Sequence, residues 1–168
     1  MFESEPSAVG RLSSRPLACA SRFDAYRMSK GSKPDWSDPM SEPYAPDGYT
    51  RVTPYLTVDG AQRLLDFLVA VFDSQVLDKV ARPEGGLVHA SVQIGDSRIE
   101  LADATEEYGA MPGALHIYVP NVDETHRRAL EHGAQELHEP TEMDYGERAS
   151  AVKDTVGNHW YIATYHRG

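Results

Sequence analysis

Apolar residues change their spacing in an ordered way from residue 52 onward. Val52, Tyr55, Leu56 and Val58 read as a strand, and Asp59 stands where it could cap a following helix. Leu64, Leu65, Phe67, Leu68, Val71 and Phe72 then recur at helical spacing, with 64, 68, 71 and 72 on one stripe able to cover a sheet. Val76 and Val80 suggest a strand over 75–81, and the run Pro83, Glu84, Gly85, Gly86 a turn. From 87 to 94 alternation is strict, placing Val88, Ala90, Val92 and Ile94 toward the helix and His89, Ser91 and Gln93 on the opposite, concave face. Gly95 opens a tight turn, after which Ile99 and Leu101 face the helix and Glu100 points into the concavity.

The same order recurs. Residues 103–112 read as a connector. Leu115, Ile117 and Val119 then face a second helix, leaving Ala114, His116 and Tyr118 on the groove side. That helix covers 122–132, with Gly133 as its C-terminal stop. A short strand over 135–138, a loop over 139–147 and strands at 148–153 and 159–164 complete the copy, with Trp160 and Ile162 under the helix and His159, Tyr161 and Ala163 toward the groove. Two such small units must bury their sheets against each other, and ligands are sought in the groove between them. The loop beginning at Pro140 is a candidate lid, with an ordinary exposed loop as the plainer reading.

Composition narrows the classes. The net charge is −10; nearly all of it falls after residue 49, so the folded part lacks the basic footprint that nucleic acid requires. No apolar run is long enough to span a membrane. Residues 1–49 are rich in Ser, Pro, Gly and charge and are expected to be a largely disordered tail, with Met28 and Met40 as alternative starts of translation. The single cysteine, Cys19, falls in that tail and permits no intrachain disulfide. With no signal-peptide apolar core before residue 50, the expected compartment is the cytoplasm.

Five segments carry a family resemblance: residues 54–58, 86–97, 116–123, 145–148 and 154–160. Together they resemble the glyoxalase/bleomycin-resistance/dioxygenase group, the vicinal oxygen chelate superfamily, and most of all its PhnB-like branch. The resemblance implies an α+β fold of paired βαβββ modules, about 50–103 and 113–165, forming an incomplete barrel around a cavity, and a homodimer. It also implies four metal-ligand positions, which fall here on Thr53, Glu100, Ala114 and Tyr161. The repeat supports that placement, since 53 to 114 and 100 to 161 are equal steps. Only Glu100 is a strong ligand for a divalent ion.

The expected function is therefore binding of a small organic molecule between the modules, in a resistance or sequestration role without the usual metal. Tyr55, His89, Ser91, Gln93, Tyr118, Arg148, His159 and Tyr161 are the candidate ligand-binding residues; the simpler reading of each tyrosine is ordinary packing. The alternative is a metal-dependent lyase, isomerase or dioxygenase, in which Glu100, His116 and His89 hold a divalent ion and Glu100 and His116 do the catalytic work. No nucleic acid, membrane or firm cofactor enters either reading.

Overall fold

The computed structural model describes residues 45–166. Cys19 and nearly all of the expected tail lie outside them. The element order is β1 (Tyr55–Val58), α1 (Ala61–Phe72), β2 (Gln75–Ala81), β3 (Leu87–Ile94), β4 (Ser97–Asp103), β5 (Ala114–Tyr118), α2 (Val122–Glu131), β6 (Gln135–Glu142), β7 (Glu147–Lys153) and β8 (His159–Tyr165). They form two four-stranded sheets, ordered β1-β4-β3-β2 and β5-β8-β7-β6, which do not close into a barrel. In each sheet the first strand runs parallel to its neighbour and the remaining pairs are antiparallel. This is the paired βαβββ, α+β architecture that the alternation predicts.

One core joins the modules. Leu64, Leu68 and Val71 of α1 are buried with Val92 and Leu101 of the first sheet and with Trp160 and Ile162 of the second. Phe67 and Phe72 both lie against the Trp160 ring, at centroid distances of 6.5 and 5.0 Å. Arg128 of α2 reaches the other way, donating to the Ala70 carbonyl at the end of α1 and to both carboxylate oxygens of Asp73. Asp73 sits at φ 52°, and this cation satisfies the carbonyl end of α1 where the chain turns away.

The start of α1 departs from the sequence reading. Asp59 does not cap it; the N-cap is Gly60, at φ 102°, with no side-chain cap bond of its own. Asp103, at the end of β4, performs the task from across the module. Its Oδ1 accepts the Gly60 and Ala61 amides at 2.9 and 2.8 Å, and its Oδ2 accepts the Leu87 amide at 2.6 Å. Gly86 makes the approach feasible, since a Cβ there would stand 2.7 Å from Asp103 Oδ2. Burial by itself would raise the Asp103 carboxyl, but the Leu87, Ala61 and Gly60 amides, aided by Arg82, hold it below the usual carboxylate range. A carboxyl held low in the folded state stabilises the fold above its unfolded value of about 4, and that stabilisation is lost as pH falls through the folded value. Urea unfolding between pH 7 and pH 3 should therefore show a steeper acid loss in the wild type than in Asp103→Asn; equal slopes would contradict this role.

Three local readings change. Val52 is 81% exposed and precedes the strand, because the Thr50 and Thr53 hydroxyls fold residues 50–53 into a turn. In β3 the register passes from Val80 opposite His89 to Ala81 opposite Leu87, skipping Val88. This bulge turns Leu87 into the core and Val88 outward, reversing the expected order at that end. The strand after α2 is also twice as long as predicted, running through Pro140 to Glu142. Pro140 is tolerated because β6 is the outermost strand and its pairing with β7 skips from His138 to Thr141. The candidate lid thus shrinks to the hairpin turn at 143–146.

Candidate functional site

Alternation in the first sheet places Tyr55, Glu100, Ser91 and Asp78 in one row across its four strands, on the face away from α1. Ser91 is buried, and Glu100 is half-buried beside it. The Glu100 Oε1 accepts the Tyr49 hydroxyl at 3.3 Å and lies 3.8 Å from His89 Nε2. Tyr55 lies beside the His89 ring, with centroids 6.2 Å apart. Gln93 accepts from Arg98 at 3.1 Å, and Arg98 lies 4.4 Å from the centre of the Tyr49 ring. The expected residues of this module do share one face. Tyr49 joins them from the approach to β1, in a segment without a strand pattern to reveal it.

The equivalent row in the second sheet is His116, Tyr161, Ala151 and His138. His116 stacks on Tyr118 at a centroid distance of 4.8 Å. The Tyr118 hydroxyl donates to Glu147 Oε1 at 2.7 Å; that hydrogen bond, with the Glu147 charge, raises the phenol above its ordinary value and keeps it a donor. Ala149 and Ala151 form a low floor beneath these rings. Together with His116, His138, Met143, Tyr145, Glu147 and Tyr161 they line an open-sided cavity of about 360 Å³. A second cavity, about 390 Å³, follows the seam between the modules and is lined by Val52, Pro54, Arg98, Leu115, His116, Tyr118 and Trp160 among others.

Several expected residues are not where the sequence reading puts them. Arg148 is opposite Thr164 and lies on the helix side of its sheet, where Asp123 of α2 binds it through both carboxylate oxygens, with Glu142 at 3.3 Å. It is a structural cation, committed to α2. His159 pairs with Ala114 and Lys153 at the far end of β8, outside both cavities. Glu100 and His116 occupy different sheets, as their places in the two copies require, and neither cavity is lined by both. Of the three residues offered as metal ligands, His89 approaches Glu100 while His116 is stacked on Tyr118, and no three His, Cys, Asp or Glu among the described residues are grouped to hold an ion. At the positions the resemblance implies, Thr53 is occupied with the Thr50 carbonyl and Ala114 offers no donor atom.

Sequence reasoning overlooked Glu147, His138 and Tyr145. Glu147 is the first residue of β7 and was hidden inside an apparent loop. The legible signal was the alternation Glu147, Ala149, Ala151, a set of one carboxylate and two small residues on the groove face.

The fold defines a class that known proteins share. Residues 48–162 match the Glyoxalase/Bleomycin resistance protein/Dioxygenase superfamily. The chain belongs to that superfamily. An uncharacterized protein of Mycobacterium bovis is 32% identical over 122 residues, covering 66% of this chain and 80% of its own. An uncharacterized protein of Mycobacterium tuberculosis matches at 32%, with 72% of its length covered. Among solved structures, TioX from Micromonospora sp. ML1 superposes with a TM-score of 0.60 at 23% identity, over 70% of this chain and 99% of that one. TnmS3, an antibiotic binding protein from Streptomyces sp. CB03234, gives 0.53 at 17%, over 70% and 98%. A PhnB protein from Bacillus cereus gives 0.55 at 16%, over 68% and 99%. At these identities the solved structures share the fold with this chain. No helix of the described residues is long and apolar enough to cross a membrane.

Proposed function

We propose that this chain, a member of the PhnB-like branch acting in the cytoplasm, binds a small organic molecule on the groove-facing side of its sheets. The role is sequestration of the resistance type, without a metal at the four usual positions. The observation that carries this reading is the second-module cavity. Its volume of about 360 Å³ suits a small ligand, its walls are rings, and its floor is two alanines that leave room for another flat molecule. The antibiotic-binding description of TnmS3 supports the reading by likeness of fold. We also propose a homodimer: Tyr55, Tyr118 and Tyr161 are 50, 60 and 46% exposed, an amount of aromatic surface that a second copy would cover.

Calorimetric titration of chelator-treated protein with a panel of aromatic compounds tests the reading, with light scattering on the same sample to give the assembled mass. Saturable binding is expected, unchanged by added divalent metal, and Tyr161→Ala should weaken it by about tenfold through loss of ring contact. No binding across the panel, or binding that appears only when metal is restored, would overturn it. A monomer mass would remove the dimer alone.

A further inference from the structure

Three carboxylates of the described residues are used very differently. Asp154 accepts the amides of Val156 and Asn158, the Asn158 side-chain amide and the Trp160 indole N–H. Asp103 accepts three main-chain amides. Both are filled by donors from their own neighbourhood and hold turns together. Glu147 is 9% exposed and accepts one hydrogen bond, from the Tyr118 phenol. No cation pairs with it among the ion pairs of the described residues. A carboxylate has about four acceptor positions, and the second Glu147 oxygen, which is not among the buried unpartnered atoms, remains reachable from the cavity and free to accept.

What surrounds Glu147 indicates the missing donor. It stands at the wall of the second-module cavity with His116, His138, Tyr145 and Tyr161, and it is the one carboxylate of that lining. The lining contains no lysine or arginine. Arg148, the adjacent residue in sequence, is directed to the opposite side of the sheet and held there by Asp123. The cavity thus combines one fixed negative charge with ring faces whose electron-rich centres also favour positive charge.

We infer that this cavity selects flat, cationic ligands: an aromatic or conjugated ring carrying an amidinium, guanidinium or protonated-amine edge. The ring lies among His116, Tyr145 and Tyr161, and the cationic N–H donors complete the acceptor positions of Glu147 that Tyr118 leaves open. This rests on the binding reading above and adds a ligand class to it. The Tyr118 hydroxyl, kept protonated by Glu147, is a positioning group that fixes one carboxylate oxygen and leaves the other for the ligand.

Three isosteric probes test the inference on the full chain: benzamidine as the cation, benzamide as its neutral counterpart and benzoate as the anion. Isothermal titration at pH 7 is expected to rank them in that order, with benzamidine about tenfold or more tighter than benzamide, the gain of a charge-assisted hydrogen bond over a neutral one. Glu147→Gln should bring benzamidine down to the level of benzamide, while Glu84→Gln, which removes one exposed charge from a distant turn, should preserve the difference. Equal binding of benzamidine and benzamide by the wild type overturns the inference, and this comparison needs no variant to fold. So does a preference for benzamidine that survives Glu147→Gln. In both cases ring binding itself persists, so the proposed function stands; only failure of all ring compounds to bind removes both.

Discussion

Trp160→Ala is expected to lower the unfolding free energy by about 3–5 kcal/mol, the range for deleting a large buried aromatic. Trp160 has no exposed surface and is the largest fully buried side chain described. Its ring is where the modules meet, since Phe67 and Phe72 come to it from α1 while its backbone belongs to β8. The neighbouring sheet cannot collapse into the space without pulling α1 from its own sheet. Domains of this size are stable by about 5–15 kcal/mol, so the variant should unfold at far lower urea concentration. Trp160→Phe keeps most of the packing and loses the indole N–H, and about 1–2 kcal/mol is expected. A loss below about 1 kcal/mol for the alanine variant would show that the modules are held together elsewhere.

Asp154→Ala should cost a similar amount, ~3–5 kcal/mol, for a different reason: several buried donors are left unsatisfied at about 1–3 kcal/mol each, partly relieved by water. Here little volume is lost. The Asp154 side chain, 5% exposed, accepts four hydrogen bonds of 2.8 to 2.9 Å and organises the turn that delivers Trp160 into the core. Its removal leaves donors of Val156, Asn158 and Trp160 without an acceptor. Asn158 in turn accepts the Gly113 amide at 2.9 Å, so the loss extends to the start of β5. Asp154→Asn should recover only part of the stability, because its amide group would face the Trp160 and Asn158 donors. A double-mutant cycle separates the contributions: in the Asp154→Ala background, Trp160→Phe should cost less than in the wild type, since their shared hydrogen bond is already gone. Strict additivity in denaturant unfolding would refute the network.

Much of this fold was readable because a strand has a period of two. The facing of His89, Ser91, Gln93 and Glu100 followed from apolar alternation, and the step between the modules holds in three dimensions: Tyr55 is opposite Glu100 as His116 is opposite Tyr161, each 61 residues on. The failures have a common origin in contacts that alternation does not encode. A bulge carries no mark in sequence, so Leu87 and Val88 exchanged faces. Arg148 stood among the candidate ligand-binding residues, yet its partner Asp123 stands 25 residues earlier. The cap of α1 comes from Asp103, over 40 residues away, while the adjacent Asp59 is idle as a cap. The site was half legible: His116 and Tyr161 were placed on the groove face, whereas His138, Tyr145 and Glu147 needed the true length of β6 and the start of β7 to join them.

Two of the four edge strands, β6 and β2, will not behave alike in concentrated solution. β6 presents Glu136, Glu139 and Glu142 and interrupts its own amide row at Pro140, features that discourage strand-to-strand aggregation. β2 has no proline, and Val76, Leu77 and Val80 along it are 40 to 45% exposed, with Asp78 and Lys79 as its central charges. Edge-to-edge aggregation therefore starts more readily at β2 than at β6, and a single added lysine on β2 is the economical way to keep concentrated preparations clear.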